Sequence, residues 1–168
     1  MKFKILIIGL LFSITTAFSQ AEYKVYSALM YHVMKNTQWP SGKATSSIVV
    51  GVFGSSTMTT NMKALAASKT INGKKIIVKE IGSSGDAAKC NVVFLSRTKN
   101  NQLSSLSSTA KSNAILLVTE VSGAAKKGAV INLSLASGKP VIELNESRAS
   151  LNKLRITSEL KKLAKLVN

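Results

Sequence analysis

The chain has 168 residues and carries 23 Lys and Arg against 7 Asp and Glu, a formal charge of +16. That length allows one ordinary domain with a proper core and no need of disulfide staples. With one Cys, one His, one Asp and six Glu spread along the chain, neither an intrachain disulfide nor a metal centre has the ligands it needs.

The first nineteen residues read as a secretory signal peptide. Lys2 and Lys4 supply the positive region, Ile5 to Phe12 the apolar run, and Ala17-Phe18-Ser19 the small residues that a signal peptidase reads. The run is short of the roughly 20 residues a membrane span needs. No cysteine follows it, so a lipoprotein anchor is not indicated. The expectation is an exported, periplasmic protein, soluble after cleavage near Gln20, with residues 20–168 forming one domain. Export weighs against ATP-, NAD- and GTP-dependent cytosolic chemistry.

Beyond the signal, residues 22–38 have helical spacing, with Val25, Tyr26, Leu29, Met30 and Val33 on one side. Pro40 disfavours helix at Trp39 and ends it. Residues 48–53 are a continuous apolar run, the pattern of a strand covered on both faces. Gly54 to Thr57 turns the chain into a helix carrying Met58, Met62 and Leu65. Asn72-Gly73 is a turn, and residues 75–81 a second strand. A loop over 82–85 has room for one helical turn to Lys89.

Residues 92–95 form the third strand, 100–111 a helix and 114–118 a fourth strand. Residues 121–128 read as a loop. Residues 129–135 and 141–144 are strands joined by a short Gly-containing link, a β-hairpin. Ile156, Leu160, Leu163, Ala164 and Val167 make one apolar stripe, so the chain is expected to close in a helix capped by Thr157 or Ser158. This order predicts an α/β fold: a mostly parallel sheet flanked by helices on both faces, with a C-terminal β-hairpin and a terminal helix.

The chemistry is sparse. Gly51-x-x-Gly54 sits at a strand-to-helix turn, where doubly wound folds bind phosphate, but the dinucleotide fingerprint and the P-loop are absent. A Cys90–His32 dyad has no local support, and no nucleophile elbow occurs. Glu143 and Glu146 are the one close carboxylate pair that a glycosidase could use. The inventory argues against an enzyme and calls for no cofactor or metal. Cys90 precedes a buried-strand pattern and reads as a small core residue. The lysines are spread rather than clustered and no stacking run of aromatics exists, which argues against nucleic acid.

Three residues are candidates for a ligand or partner site. Asn145 ends the last strand, where its amide serves either the backbone or a ligand. Arg155 is one of only three arginines in a lysine-dominated chain. Its planar fork suits a carboxylate, a phosphate or backbone carbonyls, and it either ties the linker to the hairpin or reads a ligand. Ser158 follows it at the helix start.

The ordered motifs Thr37-Gln38-Trp39-Pro40, Ile48 to Gly54, Ile71 to Ile76, Cys90 to Ser96, Gly128 to Leu133, Val141 to Asn145 and Leu154 to Leu160 resemble the YfiR/HmsC-like family of exported bacterial proteins. The resemblance implies an α/β periplasmic regulator that represses a membrane-bound diguanylate cyclase through its periplasmic region, so that release raises cyclic di-GMP and promotes biofilm. Other relatives serve sensor kinases or other receptors. A homodimer and a small-molecule ligand are implied for some members. Better-known members pair cysteines in disulfides; Cys90 has no partner, and redox control is accordingly in doubt. The leading expectation is a non-enzymatic regulator of an inner-membrane signalling protein. The alternatives are a periplasmic small-molecule-binding module, with Arg155 and Asn145 near its pocket, and a cationic envelope protein that binds acidic polymers.

Overall fold

The computed structural model describes residues 20–43 and 46–168; the signal-peptide expectation lies outside them. Helix α1 covers 20–35 and leads into β1 (Thr37–Gln38). Then follow β2 (Ser47–Phe53), α2 (Ser56–Ala66), β3 (Thr70–Ile71), β4 (Lys74–Glu80), α3 (Ser84–Ala87) and β5 (Val92–Leu95). A 3-10 segment (Arg97–Gln102) runs into α4 (Leu103–Asn113), followed by β6 (Leu116–Thr119) and α5 (Ala124–Lys127). The hairpin is β7 (Ile131–Ala136) and β8 (Lys139–Leu144). The chain ends with α6 (Glu146–Leu151), β9 (Arg155–Ile156), α7 (Ser158–Leu163) and β10 (Lys165–Leu166).

The main sheet has the order β10-β8-β7-β6-β5-β2-β4-β3. Strands β4, β2, β5, β6 and β7 are mutually parallel, and the antiparallel pairs β7–β8 and β3–β4 lie outside them. The fold is the expected α/β sandwich of helices on both faces of a mostly parallel sheet. All four residues of β5 are buried, because both faces of this central strand are covered. Val92 and Phe94 pack with α1 and α2 through Tyr26, Met30, Met58 and Met62. Val93 and Leu95 pack with α4 through Leu103, Leu106 and Ala110. Each fully buried side chain of this kind stabilises the fold by about 1.5–3 kcal/mol.

Cys90 is buried just before β5, and its Sγ lies over Gly51, where an added Cβ would meet it at 2.8 Å. The glycine in the middle of β2 is therefore a packing requirement. Gly54 has φ 89°, and the Lys99 and Ser96 side chains fill the space beside it. Both glycines of the Gly51-x-x-Gly54 pair thus have local structural reasons. Among the described residues, no helix is long and apolar enough to cross a membrane and no cluster of metal-ligating side chains exists.

Four elements differ from the sequence reading. The polar run Arg97–Gln102 buries nothing and winds as 3-10 before α4 begins. Ala124 and Ala125, in the expected loop, are small enough to pack into the core as one helical turn. The first helix stops at 35, since Thr37 and Gln38 pair with β9. The largest correction is at the end of the chain. Helix α7 stops at Leu163, which is 62% exposed, and the chain then extends as β10 along β8. The free edge of β8 offers main-chain partners there: the Val167 N–H donates to the Leu144 carbonyl, and Val167 is buried. The apolar stripe fits helical spacing, but an unfilled sheet edge outweighs a last helical turn.

Candidate functional site

The end of α1 fixes the position of Arg155. Thr37 Oγ1 donates to the Val33 carbonyl and Asn36 Nδ2 to the His32 carbonyl, closing the helix from its own side chains. The Thr157 hydroxyl donates to Asn36 Oδ1 at 2.6 Å, and the Thr157 N–H donates to the Asn36 carbonyl. Between these clamps β1 and β9 pair antiparallel, with Gln38 opposite Arg155. Thr157 also caps α7 by accepting from the Leu160 N–H. Arg155 is therefore held on a short ribbon pinned at both ends. Its side chain is exposed and makes no hydrogen bond or ion pair among the described residues.

Two clefts flank the segment that follows the ribbon. Gln38, Trp39, Pro40 and Ser41 line both. One cleft, about 560 Å³, continues to Ser150, Lys153, Leu154 and Arg155. The other, about 410 Å³, reaches Ile71, Asn72 and Lys74 at the β3–β4 turn. Trp39 is anchored at its polar edge, where Nε1 donates to the Asn91 carbonyl at 3.1 Å. Asn91 in turn accepts from the Val49 N–H at 2.8 Å and donates to the Lys43 carbonyl at 2.8 Å. This end of the sheet, where β2, β4 and β5 begin, is thus built around Trp39 and Asn91. Lys153 adopts φ 58°, the left-handed turn that returns the chain from α6 to β9.

The other two sequence candidates lie differently. Asn145 is buried and both polar atoms of its amide are bonded: Oδ1 accepts from the Arg148 N–H and Nδ2 donates to the Ala125 carbonyl, both at 2.9 Å. It caps α6 and ties it to α5. Ser158 is the exposed first residue of α7; it lines neither the 560 Å³ cleft nor a smaller one, about 280 Å³, that Arg155 shares with Glu146 and Lys161. Arg155 is instead brought together with Trp39, Ser41 and Lys153. Trp39 could have been found from sequence, being the only Trp and directly before Pro40.

The opposite end of the sheet holds a second polar cluster, one without sequence signal. Glu120 follows β6 with its side chain fully buried. It accepts from Tyr23 Oη at 2.8 Å, the Arg97 N–H at 3.0 Å and the Arg97 guanidinium at 2.8 Å. Arg97 also bonds Glu22 at 2.7 Å, and Glu22 accepts from Tyr26 Oη at 2.6 Å. Burial, with the bond to Glu120 adding to it, pushes the Tyr23 phenol up to about 12. Burial and Glu22 push Tyr26 up in the same way, and Glu120 above all raises Arg97. Every charge here has its partner, and the cluster latches the start of α1 to the ends of β5 and β6. Burial likewise pushes the Cys90 thiol up.

The model of the YfiR/HmsC-like family matches residues 23–165. The chain belongs to the YfiR/HmsC-like family. No curated protein matches the sequence. Among solved structures, a conserved domain protein from Vibrio cholerae O1 biovar El Tor is similar at 13% identity and TM-score 0.59, over 87% of this chain and 60% of that one. The ligand-free, open structure of CD0873, a substrate binding protein with adhesive properties from Clostridium difficile, is similar at 19% identity and TM-score 0.51, over 75% and 56%. An ABC domain in complex with L-Trp from Streptococcus pneumonia is similar at 13% identity and TM-score 0.52, over 72% and 55%. This YfiR/HmsC-like chain spans 55% to 60% of the length of these relatives, and the likeness is one of fold.

Proposed function

We propose that this YfiR/HmsC-like protein is an exported, periplasmic, non-enzymatic regulator. It binds the outer region of an inner-membrane signalling protein, a diguanylate cyclase or a sensor kinase, and sets its output by stabilising one conformation. The observation that carries this reading is the family match over residues 23–165. The free guanidinium of Arg155 beside the Trp39 clefts supports placing the contact there. A rigid scaffold with a pinned but unpaired arginine at its rim suits recognition, because the ordering cost is met by folding rather than by binding.

A second reading is favoured by one observation. The fold resembles part of a substrate binding protein, and the 560 Å³ cleft beside Arg155 falls in the size range of small-ligand sites. Under this reading the protein senses a small periplasmic molecule.

The test uses a photo-crosslinking amino acid at Ser41 in cells, with a deletion strain in parallel. The regulator reading expects a crosslink to one inner-membrane signalling protein and a changed output of that protein in the deletion. A normal output in the deletion, with no signalling protein crosslinked, overturns it.

A further inference from the structure

We infer that the open edge of β4 takes an extended acidic segment of another protein, added antiparallel to β4 as a further strand of the sheet. This goes beyond the docking reading above and does not depend on it. Strand β4 pairs with β2 from Lys75 to Glu80. On its other side β3 reaches only Lys74 and Lys75, and past them no strand covers β4 among the described residues. The Ile81 N–H donates to the Val52 carbonyl, which fixes the phase of the ladder: odd-numbered residues of β4 turn their main-chain groups toward β2. Val78 and Glu80 turn theirs outward, where they have no partner among the described residues. The sheet's other edge is closed. There the Leu144 carbonyl of β8 accepts from Val167, and Pro140 has no N–H to offer. Sheet edges are ordinarily covered or blunted in such ways, and this stretch of β4 is neither.

A row of outward N–H and C=O groups selects an extended backbone, since a single ion cannot satisfy it. The antiparallel direction is that of β3, already seated on the same edge. The neighbouring side chains select the charge. Ile76 and Val78 pack on the α2 side, while Lys75, Ile77 and Lys79 lie on the opposite face, all three exposed. An added strand sets one residue directly opposite Ile77 and one opposite Lys79, within cross-strand contact. Its C-terminal end meets Lys69, the exposed residue before β3, and lies diagonal to Lys75. None of these three lysines has a hydrogen bond or ion pair among the described residues. Acids opposite Lys79 and at that end, with an apolar residue opposite Ile77, are the complement. A second copy of β4 fits poorly. Two-fold pairing centred on Val78 sets Ile77 against Lys79 twice, and pairing centred on Lys79 or Glu80 opposes like charges. Pairing centred on Ile77 needs the place opposite Lys75, which Thr70 holds.

The probe is the capped peptide Thr-Val-Thr-Glu-Thr-Val-Glu, added to isotope-labelled purified protein at about 0.15 M salt, where charges beyond ~8 Å are screened. Its Gln-for-Glu counterpart tests charge. A copy N-methylated at its third and fifth residues, the N–H groups that face Glu80 and Val78, tests the ladder. The acidic peptide is expected to bind saturably, at least about tenfold tighter than either copy, and to slow hydrogen exchange at the Val78 and Glu80 amides. Lys79→Glu should weaken it about tenfold or more at an unchanged melting temperature, and a Lys-for-Glu peptide should bind that variant better than the parent. Lys111→Glu, the same change of charge on α4, should leave binding unchanged. No saturable binding, equal binding of the Gln or N-methylated copy, unaltered exchange at Val78 and Glu80, or indifference to Lys79→Glu overturns the inference. So does a protein that sediments as a dimer with both amides protected before peptide is added, because a second copy then holds the edge.

Discussion

Arg97 and Arg155 stand at opposite ends of the parallel strands, and their surroundings differ in kind. Arg97 follows β5 and is tied to Glu120 and Glu22, with Glu120 itself fully buried and further bonded to Tyr23. Arg155 stands on a ribbon pinned by Asn36 and Thr157, and its guanidinium has no partner within the described chain. In a chain with few acids, carboxylates are the scarce resource. The fold spends two of them on Arg97, where they latch the start of α1, and none on Arg155. The contrast separates an arginine used to hold the fold from one left for something outside it. Helix α1 connects the two ends: Glu22 and Tyr23 lie at the latched end, and the chain leaves its other end toward Trp39.

The largest effect is expected at the latched end. Glu120→Ala removes a buried carboxylate and leaves the Tyr23 hydroxyl and the Arg97 main chain without their acceptor. A cost of about 2–4 kcal/mol should follow in denaturant melts, below that of a fully buried pair because Arg97 is half exposed. At the open end the structural anchor is Asn91, not Arg155. Asn91→Ala strips two bonds that hold residues 43 and 49, and should cost about 1–3 kcal/mol while shifting Trp39 emission.

Alkaline titration sharpens the same contrast. The folded Tyr23 phenol is pushed up to about 12 from 10.0, so folding favours its protonated form. Its contribution is fully present below about pH 10 and is lost as pH rises toward 12, measurable as a falling melting temperature. In Tyr23→Phe that part of the alkaline loss should vanish. The smallest stability effect is expected at Leu163: Leu163→Ala should stay within about 0.5 kcal/mol of the parent, as for other exposed positions. A cost of several kcal/mol would return the stripe to a docked terminal helix.

The parts of this fold legible in sequence were those decided locally. The apolar runs of β2 and β5 and the Ser137-Gly138 hairpin turn follow from neighbours in the chain. The last turn was not legible, because Leu160, Leu163 and Val167 suit a helix and only the open edge of β8 decides otherwise. The latch was invisible for the same reason: Tyr23 and Glu120 are 97 residues apart, and Arg97 and Glu22 are 75 apart. Of the candidate site, Arg155 stood out as a fork in a lysine-rich chain. Asn145 did not sit with it, since its amide is consumed by the Arg148 N–H and the Ala125 carbonyl. Trp39 joined it only through the pairing of Gln38 with Arg155.

The central claim is that Arg155 serves a partner and not the fold. Arg155→Lys keeps the charge and removes the planar fork. The measurement is the affinity of the purified variant for the signalling protein crosslinked at Ser41, on samples whose unfolding midpoint is also recorded. The expected result is an unchanged midpoint and binding weakened about tenfold, or about 1.4 kcal/mol. A lowered midpoint with binding intact would make Arg155 structural and contradict the account.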